Sequence, residues 1–206
     1  MNPSHFGGIG RALSNRNFRV YTYGSAASLI GTWMQRAAVG WLAWELTHDP
    51  KWVGIAVSAD LIPTLFTSPL AGVLADRLHP MRLLMVLQVL AALQAIALAA
   101  LTFSGFVTVE WLVALTFVLG LIMGFNHPVR QASIYLLVRR EDLSAAVGTT
   151  SVIFNTSRVI GPAIAGFIIH LGGVGFAFSL NAVTFMVMLA ALAAVRLPPQ
   201  APRERS

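Results

Sequence analysis

Six long apolar runs, separated by short polar segments, dominate the pattern of the chain. They cover approximately residues 18–46, 52–75, 81–103, 109–138, 143–171 and 175–195. Each run reaches the ~20 residues that an α-helix needs to cross a bilayer. The pattern therefore predicts an all-α membrane protein, with one bundle of six transmembrane helices over residues 18–195 and polar segments at residues 1–17 and 196–206.

Arginine is unevenly distributed among the polar segments. It gathers in the N-terminal segment, in the turn between the second and third runs, at Arg139 and Arg140, and in the tail from Arg196. The segments 104–108 and 172–174 contain no lysine or arginine. Because positively charged loops stay on the cytoplasmic side, we expect a multi-pass protein of the cell (inner) membrane with both termini in the cytoplasm.

Composition narrows the class of protein further. The chain is 56% hydrophobic and only 11% charged, whereas soluble domains average about 25% charged residues. The net charge of +6 does not indicate a nucleic-acid partner, because the arginines follow the membrane topology. We therefore expect the lipid bilayer to surround the protein and no nucleic acid to bind it.

The sequence lacks the residues and motifs on which several kinds of chemistry depend. The chain has no cysteine, which excludes disulfides and thiolate metal sites. It also lacks the His-Glu-x-x-His, Gly-x-Ser-x-Gly and Gly-Lys-Ser/Thr motifs of metalloproteases, serine hydrolases and phosphate-binding loops. We expect no enzymatic activity, no cofactor and no metal.

The turn between the second and third runs carries a compact group of charges. Gly72 lies near the end of the second run, Asp76 and Arg77 follow it, and Arg82 lies just inside the third run. Pro80 cannot sit inside a helix, but it suits the first turn of the next one. The sequence therefore predicts a tight, positively charged turn on the cytoplasmic side.

Arg36 and Asp60 lie within apolar runs, where a charge costs about 2.5–3.5 kcal/mol on insertion scales. Each is about eight residues from the end of its run, and antiparallel neighbours would bring both side chains to similar depth. We expect Asp60 to be either the ion partner of Arg36 or a carboxylate that takes up and releases a proton.

Arg130 follows Asn126 by four residues, so both lie on one face of the fourth helix. Two interpretations are open for Arg130. Its side chain either extends to the cytoplasmic interface or meets Asp76 or Arg77 as part of a gate.

Arg158 stands near the middle of the fifth run and shares a face with Asn155 and Pro162. At this depth its side chain cannot easily reach the interface. We expect Arg158 to face the bundle interior and to meet a carboxylate or an anionic group of a substrate.

Small residues recur at a four-residue spacing in two runs. Gly120 and Gly124 are one pair, and Gly161 with Ala165 is another, beside Pro162 and Gly166. This spacing lets membrane helices approach closely. We expect both groups to serve helix packing.

The charged turn resembles the loop between helices two and three of the major facilitator superfamily. The shared residues are Gly72, Asp76, Arg77 and Arg82, whereas His79 replaces the glycine that usually follows, and Pro80 and Met81 interrupt the basic run. The resemblance implies that the four shared residues form a gating loop.

Two further segments resemble the enterobactin-exporter and macrolide-efflux branch of that superfamily. They are Asn126-x-Pro128-x-Arg130-x-Ala132 in the fourth run and Arg158-x-x-Gly161-Pro162 in the fifth. The resemblance implies proton-driven export of a siderophore or a drug-like molecule. The candidates for the substrate cavity or for coupling are Arg36, Asp60, Asn126, Arg130, Asn155 and Arg158.

Members of this superfamily have twelve helices in two bundles that face each other across the substrate. The resemblance therefore implies that the six runs form the N-terminal half of such a transporter, and that transport needs a second six-helix bundle, from a separate chain or a homodimer. The alternative is a transport-incompetent membrane protein that acts only as an assembly or regulatory partner.

Overall fold

The computed structural model describes residues 10–195, except the side chains of residues 72–77. Six long helices account for most of this range: α1 (Arg16–Thr47), α2 (Pro50–Arg77), α3 (Pro80–Phe103), α4 (Val109–Leu137), α5 (Leu143–Gly172) and α6 (Val174–Ala194). A helical segment at residues 10–14 precedes α1, and a 3-10 turn at Arg140–Asp142 precedes α5. The described range contains no strand, and the predicted all-α class is confirmed.

Local signals account for the helix ends. The Asn15 side chain caps α1 by accepting hydrogen bonds from the backbone N–H groups of Asn17 and Phe18, at 2.9 and 3.4 Å. Pro80 occupies the first turn of α3, as predicted, where its missing N–H would have no helical partner. Gly173 separates α5 from α6 with a φ of 86°, a conformation that favours glycine.

Helix α1 is the centre of the packing. It packs most extensively against α6 and α5 and also contacts α2 and α4. Helix α2 packs mainly against α4, while α3 packs against α6 and α4 and hardly touches α2. Helices α1, α2, α4 and α5 are thereby arranged around the charged side chains of Arg36, Asp60 and Arg158.

Five of the six long helices in the described range are long and apolar enough to cross a membrane, and α1 is the exception. Helix α1 carries Ser25, Ser28, Thr32 and Gln35, all of which are buried inside the bundle. Their polar groups lower the hydropathy of α1 but face other helices, where they can be hydrogen-bonded. Composition alone therefore supports five spans, and the sixth remains a proposal.

Burial differs strongly between the helices. Only 17% of the most apolar stretch of α2 and of α5 is buried, against 44–50% in α3, α4 and α6. The exposed side chains include Leu65 and Phe66 on α2 and Val159 and Phe167 on α5. Helices α2 and α5 thus leave a larger share of their apolar stretches exposed than α3, α4 and α6 do.

Candidate functional site

A cavity of 280 Å³, here called cavity A, lies between α1, α2, α4 and α5. Its lining includes Trp33, Arg36, Asp60, Leu61, Leu119 and Arg158. Leu61 and Arg158 are exposed, so the cavity opens beside the poorly buried helices α2 and α5. Apolar walls around a few charged groups are typical of small-molecule sites.

Arg36 and Asp60 form an ion pair across α1 and α2 inside cavity A. The Arg36 Nε and Asp60 Oδ2 atoms are 2.7 Å apart, and the two side chains are 20% and 7% exposed. This is the contact expected from their similar depth. In a pair at this level of burial, each charge offsets part of the cost of holding the other in a low-dielectric environment.

Arg158 differs from the expectation. Its side chain is exposed on the surface of the bundle rather than facing the interior, and none of the three ion pairs among the described residues includes it. Its guanidinium carbon lies 5.5 Å from the centre of the Trp33 ring, and that of Arg36 lies 4.7 Å from the same ring. Helix α5 packs mainly against α1, with smaller contacts to α6 and α4, and this face of α5 is left uncovered.

A second cavity of 290 Å³, cavity B, lies closer to the end of the bundle where α5 begins. Its lining includes Leu29, His127, Arg130, Phe154 and Asn155. Asn155 is exposed and donates a hydrogen bond to the Ser151 backbone oxygen at 2.8 Å, within its own helix. Asn155 and Arg158 therefore line different cavities, although they share a helix face.

An aromatic group lies between the two cavities. The Phe154 ring centre is 5.8 Å from that of Trp33, which lines cavity A, and 5.6 Å from that of His127, which lines cavity B. Sequence reasoning did not identify Phe154, because a phenylalanine in an apolar run carries no signal of its own.

Arg130 does not extend to the interface, contrary to one of the two interpretations. It is only 7% exposed and donates hydrogen bonds to Asn126 Oδ1 at 2.5 Å, to Ser28 Oγ at 2.9 Å and to Ser25 Oγ. Hydroxyl and amide oxygens thus hold the guanidinium inside the bundle. The other interpretation involves Asp76 and Arg77, whose side chains lie outside the described residues.

A buried amide network was missed by sequence reasoning. Gln35 donates to Gln94 Oε1 at 2.9 Å and accepts a hydrogen bond from Asn181 Nδ2 at 2.5 Å. Gln94 in turn donates to the Leu115 backbone oxygen at 3.1 Å. The network joins α1, α3, α4 and α6, and the only signal for it was an amide side chain inside each of three apolar runs.

Comparison with known proteins identifies the family. The sequence model described as "transmembrane secretion effector" matches residues 11–205. The chain belongs to this family. It is therefore a member of the major facilitator superfamily, related to efflux and siderophore transporters.

Three relatives show how the chain compares with complete transporters. It is 28% identical to the staphyloferrin A transporter of Staphylococcus aureus over 159 residues, which are 77% of this chain and 40% of the relative. It is 22% identical to macrolide efflux protein A of Streptococcus pyogenes, over 94% of this chain and 48% of the relative. It is also 22% identical to the uncharacterized MFS-type transporter YkuC of Bacillus subtilis, over 92% of this chain and 44% of the relative. The chain spans less than half the length of each of these relatives.

The loop resembling that of the major facilitator superfamily is only partly described. The backbone of Gly72, Asp76 and Arg77 belongs to the last turns of α2, but their side chains are outside the described residues. Arg82 is exposed in the first turn of α3. A gating role for these four residues stays a prediction.

The glycines of this chain are not equivalent. A Cβ at Gly120 would meet the Asp60 backbone oxygen, and one at Gly124 would meet Thr67 Oγ1, so α2 and α4 approach closely at both. A Cβ at Gly161 would lie 2.5 Å from the Trp33 Cβ. Gly166 and Pro162 are exposed, and a Cβ at Gly166 would meet nothing within 4 Å. In the described bundle, Gly161 therefore lies at a close approach of α5 to α1, whereas the Cβ position of Gly166 faces open space.

Proposed function

We propose that this bundle is one of the two six-helix bundles of a secondary active transporter that works by alternating access. All six long helices, including α1, cross the membrane in this proposal, residues 18–195 form the transmembrane unit, and both termini lie in the cytoplasm. The family and the matched relatives support membrane transport. The match to less than half of each relative supports the need for a second bundle.

The observation that carries the proposal is the position of cavity A. It holds three charged side chains, Arg36, Asp60 and Arg158, and it opens beside α2 and α5, the helices with the most apolar surface uncovered. A second bundle packed against that surface would close the cavity and bury the charges. Two bundles rocking about such a midplane site give alternating access.

We further propose export driven by the proton gradient. Asp60 is the candidate coupling group, because its carboxylate is buried in cavity A and its Oδ1 atom has no hydrogen-bond partner among the described residues. Protonation of Asp60 would release Arg36 and change the charge of the cavity. The names of two relatives, a staphyloferrin A transporter and a macrolide efflux protein, support a siderophore or drug-like molecule as the substrate.

Flux measurements on the complete two-bundle transporter in liposomes test this proposal. We expect an imposed proton gradient to drive flux of at least one compound from a panel of siderophores, organic acids and macrolides. Asp60→Asn should remove the dependence of this flux on pH, and Arg139→Gln, at an exposed arginine far from cavity A, should leave it unchanged.

Two results would contradict the proposal. Flux that remains dependent on pH in the Asp60→Asn variant would exclude Asp60 as the coupling group. A correctly folded assembly that shows no flux for any compound would instead support a protein that acts only as an assembly or regulatory partner.

A further inference from the structure

The charges of cavity A do not cancel. Arg36 and Asp60 pair with each other at 2.7 Å, and Arg158 lines the same cavity without any carboxylate of the described residues in ion-pairing distance. Cavity A therefore contains one unneutralised positive charge. Next to apolar walls such a charge attracts anions and repels cations more strongly than it would in water.

The surroundings of Arg158 leave it available to a ligand. Its guanidinium group lies beside the Trp33 ring, at 5.5 Å, and not inside the buried hydrogen-bond network that holds Arg130. The ring limits where the side chain can go on one side, while its exposed donors can still form charge-assisted hydrogen bonds. A carboxylate fits the planar guanidinium with two parallel bonds.

Lipid headgroups are a poor source for that anion. Helix α5 has 30 residues, from Leu143 to Gly172, and Arg158 stands at its middle. At 1.5 Å per residue, Arg158 is roughly 20 Å from either end of the helix. A phosphate at the membrane surface cannot reach this depth, whereas a molecule inside the transport pathway can.

The rest of the cavity favours a ligand with an apolar body. Val57, Leu61 and Leu119 line it together with Trp33, and its 280 Å³ suits a small organic molecule or one part of a larger one. We propose that cavity A selects organic anions, binding a carboxylate of the substrate at Arg158 while the apolar part lies against Leu61 and Leu119. This inference rests on the proposed transport function and narrows its substrate class to carboxylates, against cationic drug-like molecules.

Three probes of matched shape test the inference: cyclohexanecarboxylate, cyclohexanecarboxamide and cyclohexylmethylammonium. Binding to the purified full chain is followed by tryptophan fluorescence, and Trp33→Phe identifies the part of the signal that arises in cavity A. We expect saturable binding of the carboxylate, and at least about tenfold weaker binding of the amide and the ammonium compound.

Variants of Arg158 separate ligand binding from a structural role. Arg158→Gln should remove the preference for the carboxylate over the amide, and Arg158→Lys should keep most of it, because the positive charge remains. Arg139→Gln is the matched control, since it removes an exposed arginine outside cavity A. Circular dichroism should show the same helix content for all variants, because Arg158 is exposed.

Several results would overturn the inference. They are equal binding of the three probes, a preference for the carboxylate that survives Arg158→Gln, or no saturable signal from Trp33 in the folded chain. It would also be overturned if Arg158→Gln separated the two bundles of the complete transporter and the wild type showed no preference for anions, since a carboxylate of the second bundle would then hold Arg158.

The failure of this inference can be distinguished from failure of the proposed function. Flux without any preference for anionic substrates would reject the inference and leave transport standing. Carboxylate binding without flux would reject transport and leave the anion site standing.

Discussion

Three arginines in the long helices α1, α4 and α5 have three different environments. Arg36 pairs with the carboxylate of Asp60, Arg130 is held by the neutral oxygens of Asn126, Ser25 and Ser28, and Arg158 lies exposed beside Trp33. Only the first has its charge neutralised within the described residues. The residues available for ligand recognition therefore differ from those that hold the helices together.

Substitutions of Arg36 and Asp60 should have coupled effects on the free energy of unfolding. Replacing one partner, by Asp60→Asn or Arg36→Gln, leaves a largely buried charge alone, and we expect each to lower the free energy of unfolding by about 3 kcal/mol. The double variant should recover part of this loss, because neither charge remains. Unfolding in detergent micelles measures all three.

A matched control is available on the surface. Arg139 and Glu141 are 84% and 67% exposed and lie 3.6 Å apart, and such exposed pairs contribute little. In the corresponding double-mutant cycle, the effects of Arg139→Gln and Glu141→Gln on the free energy of unfolding should be almost additive. Fully additive losses at Arg36 and Asp60 would contradict a stabilising pair.

At the level of the helices, glycines determine which pairs can approach closely. Helices α2 and α4 approach closely at Gly120 and Gly124, and α5 approaches α1 closely at Gly161. Because Trp33 lies directly against Gly161 and also lines cavity A, helix packing and cavity shape are linked at this point.

Gly161→Ala should separate α1 and α5. A Cβ there would lie 2.5 Å from the Trp33 Cβ and 2.9 Å from the Ile30 backbone oxygen, which cannot move independently of α1. We expect a loss of about 1–3 kcal/mol, typical of overpacking, together with a shift of the tryptophan fluorescence. Thermal unfolding and emission spectra measure both effects.

Gly166→Ala is the control on the same helix. A Cβ at Gly166 would meet nothing within 4 Å, so alanine should be neutral or stabilising by up to about 1 kcal/mol, through its higher helix propensity. Equal destabilisation by the two variants would contradict the close contact assigned to Gly161.

At the level of the whole molecule, several polar segments lie together at one end of the bundle. Arg11 Nε is 3.3 Å from Asp142 Oδ1, and the Asn15 side chain donates to the Leu137 backbone oxygen at 3.0 Å. The start of α1 thus meets the connection between α4 and α5. The arginine distribution predicts that this end faces the cytoplasm.

Single cysteines test the orientation, because the chain contains none of its own. Leu78 and Ser104 are exposed at opposite ends of α3, whose 24 residues span roughly 36 Å. We expect Ser104→Cys to react with an impermeant maleimide in intact cells, and Leu78→Cys to react only after the membrane is opened. The reverse pattern would overturn the proposed topology and, with it, the placement of both termini.

The sequence by itself determined the all-helical class, the membrane class and the superfamily, and it placed Arg36 and Asp60 at similar depth, with their pairing as one of two interpretations. These follow from the length of apolar runs, from short motifs and from depth along neighbouring helices, all of which are local properties. The burial of Arg130 by Ser25 and Ser28 and the exposure of Arg158 did not follow from it.

Only the tertiary structure decided which way those side chains face. In a membrane helix the lipid-facing and core-facing positions are both apolar, so the sequence pattern contains little information about which face is inside. Two polar partners of Arg130, Ser25 and Ser28, come from α1, about a hundred residues away along the chain, and their contact exists only because α1 packs against α4. For the same reason, the cavity beside Trp33 and Arg158 depends on how α5 packs on α1, which no local pattern specifies.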